Sequence, residues 1–168
     1  APLAPPEGVR GANPRWTPVP HVADDGRLFL FFTESSGDRG CKLPTHPKKT
    51  WAPGGDVRVV VASKDLTRWE EPRVILPLEE NGPGSAAPKT LSGRMIVTSG
   101  GEWVLPFCRD TSASSRAKWP NDEKAAACGA RPTPLDPATS GCGVLVSSDE
   151  GATWQARAPP SLAFAKSA

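Results

Sequence analysis

Five residues of this chain combine a reactive side chain with a position where it could be used. Glu34 closes the apolar run RLFLFFTE, and Arg109 and Asp110 close the run EWVLPFCRD. Arg94 heads RMIVTS, and Arg39 lies in the turn-rich stretch after Glu34. A guanidinium offers a planar fork of N–H donors that meets a carboxylate with two parallel hydrogen bonds. A carboxyl group such as that of Glu34 or Asp110 can move a proton in a general acid–base step. The chemistry available to such a set is carboxylate binding by the arginines and proton transfer by the acids. A solvated loop charge, or an ion pair at a strand end, is the plainer account of each residue.

Other chemistries are poorly served. The four cysteines, Cys41, Cys108, Cys128 and Cys142, form no CxxC, and there are only two histidines. A zinc site is therefore not expected, and no other metal or cofactor is implied. An even cysteine count permits disulfides and equally permits free thiols. The net charge is +2 with acids and bases well mixed, so no basic track for nucleic acid exists. No apolar run approaches the ~18 residues of a membrane span. No charged segment leads into an apolar one as in a signal peptide. The location is left open, with an extracellular or secretory one favoured. The chain begins with Ala, and the expectation is a piece of something longer.

The elements that must position these residues are strands. Residues 1–12 show no apolar period and read as a linker or tail. PVPHVAD (18–24) is a weak strand, Asp24-Asp25-Gly26 a tight turn, and RLFLFFTE (27–34) a buried strand. A long loop (35–55) leads to VRVVVAS (57–63) and then PRVILPL (72–78). A second unit starts near 88, with RMIVTS (94–99), a Gly100-Gly101 turn and EWVLPFCRD (102–110). The proline inside that last run suggests a bulge or an edge strand. A loop over 111–141 precedes GVLVSS (143–148) and a further strand from Trp154. Only NDEKAAACGA (121–130) suggests a helical turn. The units repeat: Gly26 recurs 75 positions on at Gly101, Asp65 recurs 84 on at Asp149, and Trp69 recurs 85 on at Trp154. Each reads as strand, tight turn, strand, long loop, strand, short turn, strand, the layout of a four-stranded propeller blade. The units span 13–80 and 81–160, with 161–168 a tail or the start of the next segment.

Ser147-Ser148-Asp149-Glu150-Gly151-Ala152-Thr153-Trp154 resembles the Asp-box, or BNR repeat, of the sialidase superfamily. The pattern has a local physical basis. Asp accepts turn N–H groups, Gly takes a positive φ, and Trp buries a large apolar face. Ser63-Lys64-Asp65-Leu66-Thr67-Arg68-Trp69 is a shorter copy without the Gly. The likeness extends over roughly 13–156, through NPRWTPVPHVADDGRLFLFFTE, GGDVRVVVASKDLTRWEEPRVILPL and SGRMIVTSGGEWVLPFCRD.

The resemblance implies an all-β fold, a sialidase-like β-propeller, of which this chain holds about two four-stranded antiparallel blades of a six-bladed ring. Two blades cannot close a ring, so the rest of the propeller is expected from the same protein. The Asp-box residues Ser147, Asp149, Gly151, Thr153, Trp154, Ser63, Asp65 and Trp69 are then structural, on the face opposite the active site. The functional face belongs to the loops 35–56, 79–93 and 111–141. The implied activity is an exo-acting glycoside hydrolase on acidic sugar termini, with a carbohydrate or glycoconjugate as partner. Arg109, Arg94 and Arg39 are the candidate substrate-binding arginines, and Glu34 and Asp110 the candidate catalytic acids. Lys42 and His46 also lie in the first loop, His46 reading as a surface residue. Trp51 and Trp119 suit either stacking on sugar rings or plugging the loops, and Trp103 suits the core. Such chemistry uses a tyrosine nucleophile paired with a glutamate. This chain has no tyrosine, and the family's usual Arg-Ile-Pro segment is missing. The alternative is a carbohydrate- or protein-binding propeller without catalysis.

Overall fold

The computed structural model describes residues 13–35, 54–78, 88–109 and 141–157, and the backbone of 40–41 and 50–51. All regular structure among them is strand. The first sheet has the order β1-β2-β5-β6, from β1 (Arg15–Val22), β2 (Leu28–Glu34), β5 (Asp56–Ala62) and β6 (Arg73–Leu76). The second has the order β11-β10-β9-β7, from β7 (Lys89–Leu91), β9 (Trp103–Arg109), β10 (Cys142–Ser147) and β11 (Gln155–Arg157), with β8 (Ile96–Val97) also on β9. Both are antiparallel. Inside the stretch read as an uninterrupted loop, β3 (Gly40–Cys41) and β4 (Thr50–Trp51) form a two-stranded ribbon. Arg39, Lys42, His46, Asp110, Trp119 and the helical turn read at 121–130 lie outside the described residues.

The repeat seen in the sequence is a repeat of backbone geometry. Gly26 and Gly101 both take the left-handed conformation, at φ 86° and 81°. Their N–H groups donate to Ala23 O (2.8 Å) and Thr98 O (3.0 Å) in matching turns. Val22 pairs with Leu28, and Val97 pairs with Trp103 at the same place. The first strands differ. β1 runs through with a register shift between Trp16 and Val19, where Thr17 takes φ 48°. The second unit's first strand starts earlier than RMIVTS, at Lys89, and breaks over 92–95 into β7 and β8. The break lies opposite Pro106. Ser92 N donates to Pro106 O (3.2 Å), so the proline's backbone faces this strand, and its missing N–H leaves the strand without a ladder bond there. Pro106 therefore sits in an interior strand, and the irregularity it causes falls on the neighbour.

The two sheets stack through non-equivalent faces. The first contributes Phe29, Phe31, Val57, Val59 and Val61 to the shared core, and the second Trp103, Leu105, Phe107 and Leu145. Under the 75-residue repeat, Trp103, Leu105 and Phe107 correspond to Leu28, Leu30 and Phe32, which occupy the other side of β2. One face of the second unit thus packs on the opposite face of the first, as successive steps of a stack do. The contact is aromatic. Phe29 meets Trp103 edge-on with centroids 4.9 Å apart, and Phe31 meets Trp154 at 5.4 Å. His21 stands edge-on to Trp103 at 4.5 Å, and burial there lowers its pKa against the opposing pull of Asp24. Such edge-to-face pairs add about 0.5–1.5 kcal/mol each beyond area burial.

Candidate functional site

The two ends of the stacked sheets do different work. At one end lie two turns, the boxes Ser63–Trp69 and Ser147–Trp154. Ser147 Oγ donates to Asp149 Oδ1 (2.7 Å) and accepts from Gly151 N (2.9 Å). Asp149 also accepts Thr153 N at 2.8 Å and Thr153 Oγ1 at 2.5 Å. These donors, the Thr153 hydroxyl foremost, lower the Asp149 carboxyl pKa to about 2. Trp154 Nε1 closes the turn on Gly151 O (3.0 Å). In the shorter copy, Ser63 Oγ donates to Asp65 Oδ1 (2.6 Å) and accepts from Arg68 N (3.0 Å), and Thr67 Oγ1 reaches Asp65 at 2.8 Å. Asp65 is likewise lowered to about 2, first by Ser63. Leu66 takes a positive φ of 58°, as Glu150 does at the equivalent place in the longer copy (53°), where Gly151 adds a second at 84°. In the shorter copy Trp69 Nε1 is buried with no hydrogen-bond partner among the described residues. Both carboxylates and the hydroxyls of Ser63, Thr67, Ser147 and Thr153 hydrogen-bond within their own turns, which suits scaffolding rather than chemistry.

The opposite end gathers charge. Strand register brings the start of β1 level with the end of β2 and the start of β5: Arg15 pairs with Glu34, and Glu34 with Asp56. Glu34, only 8% exposed, accepts Arg15 Nε at Oε2 (2.9 Å), and Arg58 Nε lies 3.9 Å from its Oε1. Arg58 Nη2 donates to Asp56 Oδ2 (3.3 Å), and Asp56 Oδ1 accepts Leu78 N (2.6 Å). The Arg15 guanidinium also lies 5.2 Å from the centroid of the Phe32 ring. One carboxylate thus stands between two guanidinium groups. Arg15 uses only Nε toward Glu34, and its two terminal nitrogens hydrogen-bond to none of the described residues.

The backbone below this cluster is tightly fixed. Trp16 Nε1 donates to the buried Ser35 Oγ (2.9 Å), which donates to Gly54 O (2.9 Å). A Cβ on Gly55 would stand 1.9 Å from Glu34 O, so only glycine fits there. Gly55 exchanges both backbone hydrogen bonds with Lys89 at 3.1 Å, joining the two sheets. The fully buried Lys89 sends Nζ to Leu78 O (2.8 Å) and Pro77 O.

Among the residues read from sequence, Glu34 lies in the cluster. Arg109 ends β9 opposite Lys89, its guanidinium 4.8 Å from the Phe107 ring centroid. Arg94 is exposed in the break between β7 and β8, not at the head of the first strand. Arg15, Arg58 and Asp56 went unread. Arg15 was legible in principle: counting the hairpin back from the Asp24–Gly26 turn brings 15 or 16 opposite 34. No protein-family model matches the chain, and no curated protein matches it at significance.

Proposed function

We propose that the two sheets are successive blades of a six-bladed sialidase-like propeller, and that the protein is a glycoside hydrolase acting on acidic sugar termini. The stacking of non-equivalent faces supports the propeller. A repeat that packs one face on the opposite face of its neighbour can continue around an axis. The position of the Asp-boxes, at the end away from the charged cluster, supports it too.

The observation that carries the activity is the pair Arg15 and Arg58 around Glu34. The terminal nitrogens of Arg15 hydrogen-bond to none of the described residues and can take an incoming carboxylate, while Glu34 fixes the guanidinium through Nε. Arg15 and Arg109 are the substrate-binding arginines in this reading. Glu34 is a positioning residue rather than the acid, since its carboxylate is committed to arginine. Asp110 keeps the acid/base role. A tyrosine nucleophile, if the reaction uses one, comes from outside these 168 residues. The absence of tyrosine favours a second reading, a propeller that binds acidic sugars without cleaving them.

The test is the whole protein with a fluorogenic N-acetylneuraminic acid glycoside, alongside calorimetric titration with free N-acetylneuraminic acid. Release of the fluorophore, lost in Arg15→Ala, supports the hydrolase. Binding lost in Arg15→Ala, without release, supports the binding module. Neither binding nor release defeats both.

A further inference from the structure

We infer, on the reading of Arg15 and Arg109 as substrate-binding arginines, that Thr17 is a positioning residue: its hydroxyl ties the strand that carries Arg15 to the second sheet. The first strand holds one residue too many between two regular stretches of ladder. Trp16 pairs with Thr33 and Val19 with Phe31, so Thr17 and Pro18 together face Phe32. This is a one-residue bulge, and Thr17 carries its strain at φ 48°. A β-branched side chain is disfavoured in the left-handed region and persists there only where its surroundings hold it.

The β1–β2 ladder does not need the extra residue. Ser35 N donates to Pro14 O (3.1 Å) at one end, and Ala23 N to Arg27 O (3.0 Å) at the other. Alternation from these two bonds makes Trp16/Thr33 and Val19/Phe31 hydrogen-bonded pairs. A single residue between them, at a non-hydrogen-bonded position, would complete the ladder. Pro18 could fill that place, because no N–H is used there. The surplus residue instead leaves the ladder. Thr17 is exposed, and its Oγ1 accepts Leu91 N of the second sheet (3.3 Å).

The bond joins the neighbourhoods of the two arginines. Thr17 lies two residues after Arg15, and Leu91 pairs with Phe107, two residues before Arg109. The other anchors hold different strands. Arg15–Glu34 and Trp16–Ser35 fix the start of β1 within the first sheet. Lys89 joins β7 to Gly55, Pro77 and Leu78, beside β5 and β6. Among the described residues, the bond to Leu91 is the one hydrogen bond from β1 to the second sheet. It adds to those anchors by holding β1 against β7, and it offsets the strain at Thr17. Losing the hydroxyl loosens β1 on β7 without dismantling either sheet.

The experiment compares Thr17→Gly and Thr17→Ser in the whole protein. Glycine removes the hydroxyl and the left-handed strain together, whereas serine keeps the hydroxyl. In Thr17→Gly, hydrogen exchange at the Leu91 amide is expected to rise at least about tenfold. The melting temperature falls by no more than about 2 °C, because the strain is relieved. The calorimetric Kd for N-acetylneuraminic acid rises at least about threefold, the scale of one neutral hydrogen bond. Thr17→Ser keeps all three wild-type values. Unchanged Leu91 exchange in Thr17→Gly, unchanged affinity beside faster exchange, a larger loss of melting temperature, or a serine variant as weak as the glycine one would each overturn the inference. A wild type that binds no N-acetylneuraminic acid instead defeats the site reading and the positioning role with it, while Leu91 exchange still shows whether the tie exists.

Discussion

Arg73, on the last strand of the first sheet, donates to the carbonyl oxygen of Ala152 in the Ser147–Trp154 turn of the second, at 2.9 Å. Its other terminal nitrogen reaches Gly151 O. The turn that Asp149 closes from within is thus held from outside by the neighbouring unit. Scaffolding and stacking meet in one guanidinium.

Replacing Arg73 by Ala removes two charge-assisted hydrogen bonds across the stack, leaving the Ala152 carbonyl to water and the Gly151 carbonyl to Trp154 Nε1. Urea unfolding is expected to show a loss of about 1.5–3 kcal/mol. A midpoint that does not move would show that the two turns do not depend on each other.

The two box tryptophans are predicted to differ. Trp154→Phe deletes a satisfied donor and costs about 1 kcal/mol. Trp69→Phe deletes a buried donor with no partner among the described residues, and its cost is smaller or reversed. Trp103→Ala, at the centre of the aromatic contact, costs about 3–5 kcal/mol. Thermal and denaturant melts of the three variants give this order directly.

Acid should weaken the boxes. Asp65 and Asp149 have folded pKa values of about 2, below the ordinary 3.8. The unfolded chain therefore takes up their protons first as the pH falls. Their contribution is fully present above roughly pH 4 and is lost as the pH drops toward about 2. The melting temperature of the wild type should fall more steeply across that window than that of Asp65→Asn/Asp149→Asn. Parallel curves would remove these carboxylates from the acid response.

At the charged end, Arg109→Ala in the full-length protein is expected to cut turnover of an acidic glycoside more than tenfold, the scale of a lost charged hydrogen bond. Glu34→Gln keeps the shape but weakens the hold on Arg15, so KM should rise while the pH profile keeps its limbs. A lost limb would instead make Glu34 the acid. Unchanged kinetics in Arg109→Ala would remove that residue from the site.

Much of the fold was readable because its signals are local. A β-branched run such as VRVVVAS, a glycine at a turn and the eight residues from Ser147 to Trp154 each specify a backbone shape within a few neighbours. Seven of the eight strands read from sequence were placed to within a few residues by such signals. The break at 92–95 was missed because its cause, Pro106, sits on another strand. The charged cluster was half legible. Glu34 announced itself as an acid ending an apolar run, whereas Arg15 and Arg58 looked like ordinary strand charges.

The amino-acid sequence by itself determined the strand content, the tight turns, the two-fold repeat and the internal hydrogen bonding of the turns at Ser63–Trp69 and Ser147–Trp154, because each depends on residues close along the chain. Only the tertiary structure decided that Arg15, Glu34, Asp56 and Arg58 share one sheet end, that Cys108 bonds Cys142, and that Trp103 and Trp154 meet Phe29 and Phe31 across the stack. Those relations depend on ladder register and on which face of one sheet meets which face of the other. A shift of one residue in register turns every side chain to the opposite side, and no local pattern records it.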